Sequence, residues 1–150
     1  TTHTYRDRVE TVENVSRSGL GTCSGGIVGM GETDEDILDL AFAVRALSVE
    51  SIPVNFLHPI PGTPLEKMNY ITPEKGLKVL SLFRFLNPDK EIRAAGGREL
   101  KLGAMQRLAL YPANSIFIDG YLTTPGQKVA EARRMIEEEG FEIEGLSAGS

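Results

Sequence analysis

Helical and strand patterns alternate along this 150-residue chain, and the alternation limits the possible folds more than any other feature of the sequence. Short apolar runs predict four strands, and segments with apolar residues at helical spacing lie around them. The predicted strands are residues 20–23, 51–57, 91–95 and 115–118, and the predicted helices are residues 5–18, 34–47, 73–86, 100–110 and 124–139. This order favours an α/β fold in which helices pack on a parallel sheet.

Four strand–helix units are half of the eight that close a TIM-type (β/α)8 barrel. Functional residues of such barrels lie at the C-terminal ends of the strands, and Cys23, Asn55 and Arg93 lie near the ends of predicted strands. The glycine spacing after Cys23 does not give the Gly-x-Gly-x-x-Gly pattern of a Rossmann fold. An isolated half-barrel would expose two sheet edges, so we expect the chain to pair with another polypeptide or to be part of a longer one.

Composition and charge exclude several classes of function. The net charge of −5 argues against a nucleic-acid-binding surface, because such surfaces need clustered Lys and Arg. No apolar run approaches the roughly 20 residues that span a bilayer, and the first residues do not have the pattern of a signal peptide. A single cysteine forms no internal disulfide, which indicates a reducing compartment, and we expect the cytoplasm. Because the chain does not begin with methionine, we also expect it to start inside a longer gene product.

Cys23 is the only cysteine, and it opens a run in which four of the next eight residues are glycine. A lone thiol is more often an inert core residue, so the surrounding run carries the prediction of a ligand site. A second unusual run, Arg93-Ala94-Ala95-Gly96-Gly97-Arg98-Glu99, follows a later predicted strand. Taken alone, Arg93 would be an ordinary ion-pairing residue, and Asn55 would merely satisfy backbone groups at the end of a strand.

Six runs, in order and spread over nearly the whole chain, resemble the biotin synthase family. They are residues 23–32, 53–57, 62–65, 93–99, 113–117 and 121–126. The Gly-Ile-Val-Gly-x-Gly-Glu pattern within the first run is common among radical S-adenosylmethionine enzymes. The cysteine before it, together with the Arg-x-x-x-Gly-Arg-Glu pattern, is far more specific. The matching segments correspond to the second half of the family's barrel.

The resemblance implies an enzyme that inserts sulfur into dethiobiotin, its small-molecule substrate, to make biotin. Such enzymes use a 4Fe–4S cluster to cleave S-adenosylmethionine and a 2Fe–2S cluster as the sulfur source. The intact enzyme is expected to be a cytoplasmic homodimer with no nucleic-acid or membrane partner. Residues 1–150 would form the C-terminal half-barrel of a single catalytic domain. Its partner would be the N-terminal half, which carries the Cys-x-x-x-Cys-x-x-Cys ligands of the 4Fe–4S cluster that this chain lacks.

The resemblance also assigns ligand and substrate positions residue by residue. Cys23 matches the third cysteine ligand of the 2Fe–2S cluster, and Arg93 matches its arginine ligand. Asn55 matches an asparagine that contacts the substrate. Thr123 and Thr124 match the loop near the substrate's carboxylate.

The S-adenosylmethionine positions lie on two other segments. Ile27 matches a residue beside the adenine of this cofactor, and the backbone near Leu57 and His58 lies on the cofactor's path. No residue of the chain is assigned a catalytic role, and we expect the 150 residues alone to be inactive. Two alternatives stay open: another radical S-adenosylmethionine enzyme, such as those of diiron-cofactor or methylornithine synthesis, and a non-catalytic half-barrel scaffold.

Overall fold

The computed structural model describes residues 2–120 and 126–145, which form a parallel sheet with helices packed on it. The strands are β1 (Gly26–Val28), β2 (Ser51–Phe56), β3 (Glu91–Ala94) and β4 (Ser115–Ile116). The helices are α1 (Tyr5–Arg17), α2 (Asp34–Ala46), α3 (Pro73–Leu86), α4 (Arg98–Leu102) and α5 (Val129–Glu138), with a 3-10 helix over Gly103–Leu110. The strands pair in chain order and every pair is parallel, which is the predicted α/β arrangement.

Threonine side chains begin the three longest helices. Thr4 accepts a hydrogen bond from the Asp7 backbone N–H, and the Asp7 carboxylate accepts one in return from the Thr4 backbone N–H. Thr33 and Asp36 form the same capping box at the start of α2. Thr72 caps α3, whose first residue is a proline. Each cap satisfies N–H groups that the first turn of a helix leaves without partners.

The hydrophobic core lies between the helices and one face of the sheet. Strand residues of this face alternate with residues of the other face, as the period of two in a strand requires. The face contributes Val28, Ile52, Val54, Phe56, Ile92 and Ala94, and the helices cover it with Ile37, Ala41, Val44, Val79, Leu80 and Phe83. Among the helices of the described residues, none is long and apolar enough to cross a membrane.

The opposite face, which we call the open face, carries a different set of side chains. Ser51 lies on this face and is buried. The other residues of the face are exposed or half-buried, and they are Cys23, Ile27, Pro53, Asn55, Glu91, Arg93 and Ser115. Parallel sheets are ordinarily covered on both faces. The open face is therefore the surface at which a second layer or the other half of a barrel would pack.

The structure corrects three predicted elements. The last helix, predicted over residues 124–139, begins at Val129, and residues 126–128 before it are not helical. The first strand is Gly26–Val28 and not residues 20–23, so Cys23 lies at the N-terminal side of β1 and not at the C-terminal end of a strand. The helix predicted over residues 100–110 is divided at Gly103, whose φ of +50° is a left-handed conformation that ends α4 before the 3-10 helix begins.

Candidate functional site

Cys23 is aligned with β1 even though it lies outside the strand. It forms a parallel bridge with Ser51, and Gly26 pairs with Val54, so both pairs have the same register. Between the two pairs, β2 contains Pro53. Proline has no N–H to donate, so Pro53 interrupts the hydrogen-bond ladder with the segment that follows Cys23. The bridge is held by bonds from Ser24 N to Ser51 O at 3.0 Å and from Ser51 N to Thr22 O at 3.1 Å.

The register aligns Cys23 with β3 across the open face. Cys23 pairs with Ser51, and Ser51 pairs with Glu91, so these three residues form one row across three strands. Neighbouring strands are about 4.8 Å apart, which puts the backbones of Cys23 and Glu91 about 10 Å apart. Arg93 lies two residues further along β3, about 7 Å above this row. The thiol of Cys23 is exposed.

Arg93 is held by two neighbours on the open face. Its Nη2 donates to Glu91 Oε2 at 2.7 Å, and its guanidinium carbon lies 5.9 Å from the centre of the Phe117 ring. The hydrogen bond from Arg93 holds the pKa of the Glu91 carboxyl below its ordinary value of 4.5. The Nε of Arg93 is buried and has no hydrogen-bond partner. A buried donor without a partner is costly, so Arg93 carries an unsatisfied polar group at this position of the open face.

Asn55 connects the ends of two strands to each other. Its Nδ2 donates to Gly26 O at 3.3 Å, and its Oδ1 accepts from Gly96 N at 3.1 Å. The side chain therefore satisfies backbone groups on both sides of β2. One amide hydrogen and one oxygen lone pair are left over, so this structural role and a contact with a substrate are compatible.

Ile27, Leu57 and His58 differ in what they can offer a cofactor. Ile27 pairs with Asn55, and its side chain is 47% exposed on the open face. The Leu57 side chain is buried and its N–H donates to Val28 O, which leaves the carbonyl as its remaining polar group. His58 is exposed. Thr123 and Thr124 lie outside the described residues.

The glycine-rich loop after β1 is folded around its own glutamate. Both oxygens of Glu32 accept backbone hydrogen bonds, from Gly29 N at 2.6 Å and from Met30 N at 2.8 Å. A side chain at Gly29, whose φ is +99°, would come within 3.0 Å of Ile71. The packing of the chain itself thus requires this glycine, and the approach of a nucleotide is not needed to explain it.

A buried arginine joins the loop after β3 to the segment after β4. Arg98 is fully buried, and it donates to Phe117 O at 3.2 Å, to Gln127 Oε1 at 3.1 Å and to Gln106 Oε1. Glu99 accepts from Arg98 and from the Gln127 backbone N–H. Arg98 is thus a structural residue, since its contacts join these two segments.

Sequence reasoning did not identify Glu91 as the ion-pair partner of Arg93 on the open face. The only signal was an acid and a base two residues apart on a predicted strand, which puts both side chains on one face. Within the described residues, no three His, Cys, Asp or Glu side chains come together to hold a metal ion. Cys23 and Arg93 can therefore supply only part of a ligand set.

Comparison with known protein families gives a match over residues 53–142. The matching model is the Biotin and Thiamin Synthesis associated domain. The chain belongs to this family. The matched range includes Asn55, Glu91 and Arg93, whereas Cys23 lies before it.

Individual relatives match nearly the whole chain. It is 58% identical to a biotin synthase of Bacillus pumilus over 144 residues, which are 96% of this chain and 44% of the relative. It is 56% identical to a biotin synthase of Bacillus subtilis over 146 residues, again 44% of the relative. The chain thus spans less than half the length of the curated relatives it matches, and the resemblance to biotin synthases is confirmed.

The solved structures give the same picture of the fold. The chain is similar to methylornithine synthase with a TM-score of 0.75 and 20% sequence identity, over 95% of this chain and 46% of that one. At this identity the likeness concerns the fold alone. Together with the four parallel strands in chain order, it confirms the predicted fold class, in which these residues form about half of a barrel.

Proposed function

We propose that this chain is the C-terminal half-barrel of a biotin synthase, an enzyme that inserts sulfur into dethiobiotin by radical S-adenosylmethionine chemistry. One observation carries the proposal. Cys23 and Arg93, the two residues that match cluster ligands, have their positions on the same open face of a parallel sheet whose other face is packed. The 56–58% identity to biotin synthases supports the choice of reaction over others that share the fold.

The side chains present fit a partial ligand set for a 2Fe–2S cluster. Cys23 offers an exposed thiol, which is the usual ligand of iron–sulfur clusters. Arg93 offers a partly exposed guanidinium group, of which Glu91 occupies Nη2. When bound, the cluster would supply the sulfur atom for biotin. The remaining ligands, and all those of the 4Fe–4S cluster, would come from the N-terminal half.

The C-terminal edge of the open face is suited to the organic ligands. Ile27 presents an exposed apolar side chain beside Asn55, and such a surface can pack against the adenine of S-adenosylmethionine. The Leu57 carbonyl and the exposed His58 follow directly at the end of β2 and would contact the same cofactor. Asn55 is fixed by two backbone contacts, so its remaining polar atoms would hold dethiobiotin in a defined orientation. Thr123 and Thr124 would contact the carboxylate of dethiobiotin.

We further propose that the N-terminal half of the barrel covers the open face and excludes water from it. The free edges of β1 and β4 would pair with strands of that half, as closure of a barrel requires. A cytoplasmic homodimer is the proposed form of the intact enzyme.

A fusion protein tests the proposal. The part of Bacillus subtilis biotin synthase that precedes the matching segment is joined to this chain and reconstituted with iron and sulfide. We expect the fusion to convert dethiobiotin to biotin, and we expect neither the 150-residue chain alone nor a Cys23→Ser fusion to do so. Glu35→Gln, at an exposed acid on α2, is the matched control and should leave the conversion unchanged. Conversion by the chain alone would contradict the half-barrel proposal, and full activity of the Cys23→Ser fusion would contradict the ligand assignment.

A further inference from the structure

Glu91 is the residue that determines where the head group of Arg93 lies. The two side chains leave β3 on the same face, and their charged groups meet at 2.7 Å. Both are only about one-third exposed, at 35% for Glu91 and 32% for Arg93, so bulk water screens this pair less than a surface pair. The contact fixes one guanidinium nitrogen, Nη2, and leaves the buried Nε without a partner.

The direction of this contact is set by the sheet register. Glu91 is in the same row as Cys23 and Ser51, whereas Arg93 lies one pleat, about 7 Å, further along the strand. Arginine has a long, flexible side chain, which could equally extend toward the C-terminal edge of the sheet. The ion pair with Glu91 connects one of its nitrogens to a residue on the N-terminal side, in the row of Cys23. Phe117 lies on the opposite, C-terminal side, and the centre of its ring is 5.9 Å from the guanidinium carbon of Arg93.

We propose that Glu91 is a positioning residue, which with the Phe117 ring holds the Arg93 guanidinium in one orientation on the open face and presents its remaining nitrogens to a ligand. This inference rests on the proposed function in one respect, the identity of that ligand as an iron–sulfur cluster. Glu91 does not itself bind the cluster. It acts by occupying Nη2, which orients the rest of the guanidinium.

The geometric part of the inference is tested on the 150-residue chain by NMR of the arginine side chains. Arg93→Lys assigns the Arg93 signals. In the unaltered chain we expect slow rotation about Nε–Cζ, with separate Nη signals shifted by the Phe117 ring. Glu91→Ala should merge these signals, whereas Glu91→Gln, which keeps an oxygen acceptor of similar reach, should keep them separate. Arg93 signals that are the same in the Glu91→Ala and unaltered chains would overturn the inference.

The functional part is tested on the fusion protein described above, loaded with iron and sulfide. The readout is the rate at which a chelator bleaches the visible absorbance of the cluster. Loss of a residue that orients a metal ligand weakens metal binding by about 10- to 100-fold, so Glu91→Ala should speed the bleaching by roughly tenfold or more. Glu91→Gln should retain most of the protection, and the Glu35→Gln control should match the unaltered fusion.

The outcomes separate this inference from the proposed function. If Cys23→Ala alters the absorbance but Glu91→Ala leaves the bleaching rate unchanged, the positioning role is wrong and the cluster site stands. If neither Cys23→Ala nor Arg93→Ala alters the absorbance, the cluster site itself is wrong. A merely structural role for Glu91 would lower the stability of the Glu91→Ala chain without changing its Arg93 signals, and that result also overturns the inference.

Discussion

Gly25 is the position at which the segment carrying Cys23 comes closest to β2, and we predict that Gly25→Ala separates the two. A methyl group at Gly25 would lie 2.0 Å from the carbonyl oxygen of Pro53 and 2.9 Å from its carbonyl carbon. Carbon atoms of side chains essentially never come within 3.0 Å of such atoms. The backbone would therefore have to move by about 1 Å, because the contact is with backbone and not with a flexible side chain.

The expected loss of stability follows from what that movement breaks. Inserting a methyl group where the backbone must shift costs roughly 1–3 kcal/mol. The bonds from Ser24 N to Ser51 O and from Ser51 N to Thr22 O lie beside the contact, and each contributes about 1 kcal/mol. If both are lost, Gly25→Ala lowers the free energy of unfolding by roughly 3–5 kcal/mol. With a urea slope of about 1.5 kcal/mol per molar, the midpoint of unfolding falls by about 2 M or more.

Gly120→Ala is the matched control for this substitution. A methyl group at Gly120 would have no atom within 4 Å, and this glycine does not have a positive φ. The control should leave the urea midpoint unchanged or raise it slightly, since alanine restricts the unfolded chain by about 0.4–1 kcal/mol. Urea titrations of the two variants, monitored by circular dichroism, measure the two unfolding midpoints. Equal midpoints for Gly25→Ala and Gly120→Ala would refute the reasoning.

Three further predictions concern stability and are read from urea unfolding. Asn55→Ala removes the side-chain bond to the Gly26 carbonyl and leaves the Gly96 N–H without its partner, so we expect a loss of about 2 kcal/mol. An unchanged midpoint would contradict the role of Asn55 as a connector. Phe83→Ala empties a fully buried site and should cost about 3–5 kcal/mol. Hydrogen bonds from Thr33 lower the pKa of Asp36 below 3.8. The capping box therefore stabilises the fold above pH 3.8. This stabilisation is lost as the pH falls through the lower pKa that Asp36 has in the folded state. Thr33→Ala should therefore be less stable than the unaltered chain at neutral pH, and the difference should shrink on acidification; a constant difference would count against the cap.

The starts of the three longest helices could be predicted from the sequence because their determinants are local. Thr4, Thr33 and Thr72 each cap the helix that follows them in the chain, so the information lies within four residues. The bounds of α3 agree with the prediction for this reason. The break at Gly103 was missed because glycine is also tolerated inside helices, and sequence alone does not show its φ.

The first strand could not be placed from the sequence because its partner determines it. The apolar character of residues 20–23 predicted a strand there, but Pro53 of β2 interrupts the ladder, and the regular part of β1 begins only at Gly26. The sequence named candidate site residues, whose functional roles stay predictions, but it could not give their geometry. That Cys23 is level with Glu91, one pleat before Arg93, follows from a register shared by three strands.

The character of the open face indicates what kind of layer covers it. A barrel interior that serves only as packing is filled with bulky branched side chains. The open face instead presents a thiol, an amide and an ion pair, from Cys23, Asn55, Glu91 and Arg93. A purely apolar layer pressed against these groups would desolvate the Glu91–Arg93 ion pair, whose side chains are still about one-third exposed, without giving it new polar partners. The polar character of the open face therefore favours the proposed catalytic half-barrel, in which the covering half encloses a polar ligand, over a scaffold that packs an apolar layer on it.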